Sequence, residues 1–186
     1  MRSKIGLKVI GTSLCLGAGF VFGYQSTAKA EAARIFGNMT YFTNSPYIAE
    51  KVTLTNGSGV VWVDWDNLLH VSLWYEQRYL FGDFNRDGIK DVAVLIGESQ
   101  GGSDNEIELA FLINDGKQFV HRQSVYLGDS AIVNSLKEHG GKIIIDRFIH
   151  QEGDCQAGPT KRVKNVYDFL EPQPGDAISF PSADRG

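Results

Sequence analysis

Acidic and amide side chains recur at alternate positions within the short stretch FGDFNRDGIKDV. Asp83, Asn85 and Asp87 follow this spacing, Gly88 comes next, and Asp91 closes the stretch. Calcium takes about six to eight oxygen ligands from carboxylates, amide and backbone carbonyls, and water. A tight loop with this alternation points successive side chains inward, so we interpret the stretch as a calcium-binding loop.

Each position in the loop suits a role in binding the ion. Gly88 permits a sharp backbone turn because glycine tolerates positive φ, and the carbonyl oxygen of Ile89 can then face the ion. Asp91 would complete the ligand shell from the start of the next strand. The alternative is a solvated Asp, Asn and Gly turn that joins two strands without a metal. An EF-hand is excluded, since that loop needs an acidic ligand at its twelfth position, where this chain has Val94.

The form D-x-N-x-D-G-x-x-D, preceded by Phe81 and Gly82, resembles the calcium loops of integrin-type FG-GAP repeats and of bacterial VCBS repeats. The resemblance implies a Ca2+ site whose ligands are the side chains of Asp83, Asn85, Asp87 and Asp91 and the carbonyl oxygen of Ile89. Those families stack many repeats into a propeller. Because this chain has a single loop of this form, a propeller is not expected.

A wider resemblance covers most of residues 38–170. The order of VTLTNG, GDFNRDGIKDVAVLI, YLGD, GKIIIDRFIH and a cysteine-containing turn before PTKRV is similar to a group of uncharacterised bacterial secreted proteins and predicted lipoproteins. Members of that group often carry a lipidated cysteine and a pair of cysteines in the last turn, where this chain has Cys155 alone. The resemblance implies export but no particular activity.

Residues 1–30 have the composition of a secretory signal peptide. A positive head is followed by the apolar run VIGTSLCLGAGFVFGY and by small residues at Ala28 and Ala30, which predicts export and cleavage after Ala30. The apolar run is shorter than the ~20 residues of a membrane-spanning helix, which argues against a retained anchor or any stable membrane span. A lipid anchor at Cys15 is not expected either, because Leu14 stands where a lipoprotein signal has a small residue.

Charge limits the classes of partner. Four of the 18 Lys and Arg residues and none of the 22 Asp and Glu residues lie in 1–30, which leaves a formal net charge of −8 after cleavage. Nucleic acids and anionic lipid surfaces both attract positive charge, so neither is an expected partner. A protein or a glycan is expected instead.

Short apolar or alternating runs between glycine-rich turns predict one mainly β domain over residues 31–172, with a frayed tail at 173–186. About eight mostly antiparallel strands are expected, with turns every ~8–12 residues. The run DVAVLI at 91–96 is typical of a strand buried on both faces, and KIIIDRFI predicts a strand at 142–149. EAARIF at 31–36 is the one helical candidate. Further strands are expected at 51–55, 59–65, 69–75, 107–114, 118–126, 131–136 and 162–170.

The function that we favour from the sequence is a non-enzymatic binding or interaction module of the cell envelope or exterior, with one structural calcium site. Trp62, Trp65, Trp74 and Tyr75 lie close together in the sequence. Core packing is their expected role. The alternative is an exposed indole that offers a binding surface, since indoles combine apolar area with a hydrogen-bond donor.

The competing hypothesis is a secreted hydrolase with its site in the loops 97–105 or 150–160. His150 and Cys155 are a conceivable base and nucleophile, but the adjacent Asp154 discourages thiolate formation. No catalytic constellation is convincing, so we expect a protein that is not an enzyme. A third hypothesis is a domain that senses calcium, loose without the ion and firm with it. After cleavage Cys155 is the single cysteine, and we expect it to be buried or partly buried rather than paired with another chain.

Overall fold

The centre of the computed structural model is a five-stranded antiparallel sheet. The structure describes residues 19–43, 51–64, 69–101, 105–155 and 158–170. Its elements in chain order are α1 (Gly19–Phe36), β1 (Thr40–Phe42), β2 (Lys51–Thr53), β3 (Ser58–Asp64), β4 (Leu69–Gly82), β5 (Asp91–Ser99), β6 (Glu106–Asn114), β7 (Phe119–Asp129), β8 (Ile132–His139), β9 (Lys142–Ile149) and β10 (Lys161–Asp168). The strands β3 to β7 form the central sheet in chain order, β8 to β10 form a three-stranded sheet, and β1 and β2 pair as a short ribbon.

Two apolar layers cover the two faces of the central sheet. The three-stranded sheet packs on one face through a core that includes Leu95, Phe111 and Ile143. The helix and the ribbon pack on the other face through a core that includes Phe36 and Leu112. Burial of apolar area contributes about 25 cal/mol per Å², so these apolar contacts stabilise both layers on the sheet.

The strand β5 lies in the middle of the central sheet and is buried on both faces, as its sequence predicts. Every residue from Asp91 to Glu98 is buried. Ala93 and Leu95 face the three-stranded sheet, and Val94 faces the helix and ribbon. The predicted fold, mainly β and not a propeller, is confirmed for the part of the chain that the structure describes.

The strands differ from the expected pattern in number and in one length. The described residues contain ten strands rather than about eight. The strand β9 has its expected bounds, and the turn before it uses positive φ at Gly140 and Gly141. The strand β4 continues to Gly82 instead of ending near residue 75, because a bulge with φ of +55° at Gln77 lets the pairing with β5 resume after a shift in register.

The helix α1 is longer than the expected helix at 31–36. It begins at Gly19 and continues through the predicted cleavage site after Ala30, because the segment AKAEAA consists of good helix formers. Ala32 and Phe36 are buried in the core, and both lie after that site, whereas Ala30 is exposed. Cleavage after Ala30 therefore leaves these core contacts in the chain.

Parts of the predicted leader and tail are not among the described residues. These parts are residues 1–18, which include Cys15, and the predicted tail at 173–186. Among the helices that the structure describes, none is long and apolar enough to cross a membrane.

His121 ties the ribbon to the edge of the central sheet. Its Nδ1 accepts a hydrogen bond from the backbone N–H of Phe42 at 2.9 Å, so Nδ1 carries no proton. Its Nε2 then carries the proton and donates to the carbonyl oxygen of Gln123 at 3.0 Å, with Ser124 Oγ at 3.1 Å. Burial lowers the pKa of His121 to about 4, and the hydrogen bond to Gln123 opposes this only in part.

We expect the protein to lose stability between about pH 6.5 and pH 4. Above the unfolded pKa of ~6.5, His121 is neutral in both the folded and the unfolded chain. As pH falls, the unfolded chain binds a proton that the folded chain excludes until its pKa of about 4. The loss amounts to about 2–3 kcal/mol by pH 4.5. Urea unfolding of the unmodified protein and of His121→Gln at pH 7 and pH 4.5 measures it.

The matched control is His139→Gln, which changes an exposed histidine. This variant should keep the difference in stability between pH 7 and pH 4.5 that the unmodified protein shows, whereas His121→Gln should lose most of that difference. An equal pH dependence in all three proteins would contradict the assignment.

Candidate metal site

The predicted calcium loop joins β4 to β5 in the middle of the central sheet. Gly82 and Asp91 are paired across the two strands, so residues 83–90 form the tip of a hairpin. Arg86 and Gly88 have positive φ of +63° and +86°, which folds the tip back on itself. The structure thus places all five predicted ligands in this tip or at its base.

Asp91 holds the base of the loop through a fully buried carboxylate. Its Oδ2 accepts hydrogen bonds from the backbone N–H groups of Phe84 at 2.8 Å and Asn85 at 3.3 Å. Its Oδ1 accepts one from the N–H of Asn114 at 2.9 Å, on the neighbouring hairpin. Hydrogen bonds to an ionised acceptor are the strong ones. In this geometry Asp91 organises the loop, and an ion would share its oxygens with these amides.

Asp83 provides the observation that fits a cation best. Its Oδ2 accepts a hydrogen bond from the N–H of Gly88 at 3.1 Å. Its Oδ1 is buried and accepts no hydrogen bond, which is a costly arrangement for a carboxylate oxygen. A cation beside Oδ1 would remove that cost, and calcium takes carboxylate oxygens.

The other three predicted ligands lie on the more exposed side of the loop. Asn85 Nδ2 donates to Asp87 Oδ2 at 2.8 Å, and Asn85 Oδ1 accepts from the N–H of Asp87 at 3.2 Å. Asp87 Oδ1 accepts from the N–H of Ile89 at 2.7 Å, the local pattern of an Asx turn. The described residues, which include the whole loop, contain no group of three His, Cys, Asp or Glu side chains arranged to hold a metal ion. The side-chain oxygens of the loop match calcium ligands in type and order. In this structure the oxygens of Asn85 and Asp87 accept hydrogen bonds from within the loop instead.

Two residues that hold the loop in place, Asn114 and Phe84, were not predicted from the sequence. Asn114 donates its N–H to Asp91 and its Nδ2 to the carbonyl oxygen of Lys90 at 3.2 Å. Phe84 is buried between the two sheets, where its ring meets that of Phe111 edge to face at 5.4 Å. A large apolar residue between polar ones was a usable signal for Phe84. Nothing signals Asn114, since it lies 23 positions from Asp91.

The loop 150–160, one of the two candidate hydrolase sites, is organised around Asp154. The carboxylate accepts hydrogen bonds from the Thr160 hydroxyl at 2.6 Å and from the N–H groups of Thr160 and Gln151. The Thr160 hydroxyl is the main cause that holds the pKa of Asp154 below its usual value. This carboxylate therefore holds the turn together.

Cys155 is exposed, so the expectation of a buried or partly buried thiol was wrong. The residue follows a turn at Gly153, whose φ is +91°, and it lies between β9 and β10 rather than on a strand. A turn outside the sheets has no apolar layer to cover it.

The other candidate hydrolase site, the loop 97–105, is described only in part. Residues 97–99 belong to β5, and residues 102–104, which include Ser103, lie outside the described residues. Glu98 at the end of the strand is buried.

Trp62 lies on the exposed side of β3. Its side chain is 39% exposed, and its ring lies 4.9 Å from that of His70, its partner on β4. Core packing was thus wrong for Trp62, because β3 is an edge strand whose alternate residues are exposed. Trp74 is half-buried and covers Gly97, where a Cβ would lie 2.1 Å from the indole. Trp65 lies outside the described residues.

Comparisons with protein-family models, with curated proteins and with solved structures give no match. The function is therefore argued from the site itself, because a fold alone does not determine function.

We expect Asp91→Asn to destabilise the protein even without calcium. The amide has one oxygen acceptor, so its NH2 group would face a backbone N–H that Asp91 now binds. The loss of a buried hydrogen bond to a charged group costs about 1.5–3 kcal/mol. Urea unfolding in the presence of a chelator measures the change.

Asp87→Asn is the matched control, since Asp87 is exposed and bonds only within the loop. Its effect on stability without calcium should stay below about 1 kcal/mol. Equal effects of the two substitutions would show that Asp91 does not hold the loop.

Proposed function

We propose that this protein is an exported, non-enzymatic binding module of the cell envelope or exterior, stabilised by one calcium ion in the loop 83–91. The proposed ligands are the side chains of Asp83, Asn85, Asp87 and Asp91 and the carbonyl oxygen of Ile89. The proposed partner is a protein or a glycan. We infer export from the predicted signal peptide, with cleavage near Ala30. The cleaved chain carries a net negative charge, which disfavours nucleic acid as a partner.

The observation that carries the calcium proposal is the buried Oδ1 of Asp83, which accepts no hydrogen bond. The loop has few donors left for it. The backbone N–H groups of residues 84, 85, 87, 88 and 89 all donate to other oxygens of Asp83, Asn85, Asp87 and Asp91. The guanidinium of Arg86 donates to Asp168. A divalent cation is the partner that suits an oxygen in this position.

The proposed ion has a modest energetic role. Extracellular modules bind calcium with dissociation constants of about 0.1–1 mM. With a dissociation constant of ~0.1 mM and ~1 mM free calcium, binding stabilises the folded state by about 1.4 kcal/mol. That amount strengthens a marginal domain without making its folding depend on the metal.

The exposed Trp62 supports a binding role over a catalytic one. An indole on an edge strand, with its ring 4.9 Å from that of His70 and tilted by 47°, offers an apolar surface to a partner. The hydrolase alternative gains no such support from the described residues. The carboxylate of Asp154 already accepts hydrogen bonds from Gln151 and Thr160 within its own turn. A surface groove of about 310 Å³ is lined by Lys29, Gln77, Arg78, Tyr79 and Leu136 and contributes no nucleophile beside a base.

Calorimetric titration of calcium into the chelator-treated protein, as recovered from an exporting host, tests the metal site. We expect one ion to bind and to raise the melting temperature. Asp87→Ala should weaken binding at least tenfold, because it removes a charged ligand. Mass spectrometry of the same sample gives the mature N terminus and so tests cleavage after Ala30.

The matched control is Asp115→Ala, which changes an exposed Asp-Gly turn on the next hairpin. It should bind calcium like the unmodified protein. Absence of binding up to several millimolar calcium would reduce the loop 83–91 to a polar turn.

Trp62→Ala tests the binding surface. We expect this variant to remain folded, because Trp62 lies on an edge strand and is 39% exposed, and to lose most of its retention on isolated cell envelopes of the exporting host. Val166→Ala changes an apolar residue that is 60% exposed on the other sheet and should be retained normally. Equal retention of all three proteins would move the binding surface away from Trp62.

A further inference from the structure

We infer that calcium in the loop 83–91 regulates how firmly the three-stranded sheet is held against the central sheet, through the β8–β9 turn and the ion pair of Arg86 with Asp168. This inference rests on the proposed function, because it concerns what the ion does after it has bound. It predicts that one of the two layers responds to calcium and the other does not.

The turn between β8 and β9 lies directly against the first residue of the loop. A Cβ at Gly141 would lie 3.1 Å from the carbonyl oxygen of Asp83, a tight contact, and the φ of +76° at this position also favours glycine. Glu138 accepts the N–H of Gly141 at 2.8 Å, and its Cγ would lie 3.1 Å from a Cβ placed on Gly82. Movement of this turn therefore disturbs the backbone that presents the Asp83 carboxylate.

Arg86 connects the tip of the loop to the end of β10. Its Nη2 donates to both carboxylate oxygens of Asp168 at 3.2 Å. Lys142 at the start of β9 lies 2.9 Å from the same carboxylate, and Asp168 and Lys142 are paired in the sheet. One carboxylate thus joins the loop to two strands of the three-stranded sheet.

Phe84 extends the connection into the core. It lies between Asp83 and Asn85 in the sequence, and its buried ring packs in the same cluster as Val133 and Ile143 of the three-stranded sheet. A loop held by an ion keeps this ring in place, and a displaced sheet removes its packing partners.

The helix and ribbon on the opposite face have a different attachment. The ribbon is held at the far edge of the central sheet by the hydrogen bond from Phe42 to His121, on β7. The core of this layer includes Phe36 and Tyr41. This layer therefore serves as an internal reference within the same molecule.

Linkage gives the size of the expected effect. If opening of the three-stranded sheet breaks the ion site, bound calcium reduces the open population by the factor 1 + [Ca2+]/Kd. At a free calcium concentration ten times Kd the factor is about eleven. Amides that exchange through this opening slow by the same factor, whereas amides that open without it do not.

Hydrogen exchange of the full chain, with and without calcium at ten times the calorimetric Kd, tests the inference. We expect peptides from the loop and from β8, β9 and β10 to slow by about tenfold. Peptides from the helix and ribbon should change by less than about twofold. The readout is the ratio of exchange rates with and without calcium for each peptide.

Asp168→Asn removes the charged acceptor of Arg86 without changing a proposed ligand. The ion pair is partly exposed, so its loss should reduce the calcium ratio in the three-stranded sheet by about two- to fivefold. Asp146→Asn is the matched control, since it removes the Arg162–Asp146 pair of the same sheet and should keep the full calcium ratio.

The outcomes separate the inference from the proposed function. Slowing of the three-stranded sheet that falls in Asp168→Asn but not in Asp146→Asn supports the inference. Calorimetric binding with slowing confined to the loop, with equal slowing of both layers, or with an unchanged ratio in Asp168→Asn overturns it and leaves the calcium site intact. Absence of calorimetric binding overturns the proposed calcium site itself.

Discussion

The burial of β5 on both faces is the constraint on which the rest of the molecule depends. A strand whose eight residues from Asp91 to Glu98 are all buried needs a neighbouring strand on each edge and an apolar layer on each face. The strands β4 and β6 supply the edges. The three-stranded sheet covers one face, and the helix with the ribbon covers the other. Neither layer has another surface of this kind to pack on.

The burial of β5 also determines how the loop before it is hydrogen-bonded. Because the strand is buried from its first residue, the carboxylate of Asp91 is buried with it and must be fully hydrogen-bonded. It is bonded to three backbone amides, two from the loop and one from the adjacent hairpin. Asp83 differs from Asp91, because its Oδ1 is buried and accepts no hydrogen bond. Asp91 thus holds the loop through backbone hydrogen bonds, whereas Asp83 has a carboxylate oxygen that accepts no hydrogen bond and suits an ion.

The sequence predicted those features that depend on residues close together in the chain. The bounds of β9, the double burial of β5 and the glycine turns follow from local patterns. The length of α1 was not predicted, because its first half has the composition of a leader. The exposure of Trp62 was not predicted either, because the position of β3 at the sheet edge depends on the order of the strands. In the loop, the residue types of the proposed ligands could be identified from the sequence. The hydrogen bond from Asn114 to Asp91 could not, because it joins residues 23 positions apart. Cys155 was misjudged for the same reason, since its exposure depends on where the sheets end.

The order of the strands has a consequence for how the chain folds. In both larger sheets the spatial order of the strands is their order in the sequence, so every strand pairs with its immediate predecessor or successor. Each pair is a hairpin that closes a short loop, and topologies built from such contacts fold faster than those that need distant pairings. Only the packing of the layers requires distant contacts. The chain can therefore form its sheets one hairpin at a time, from either end, before the layers close over β5.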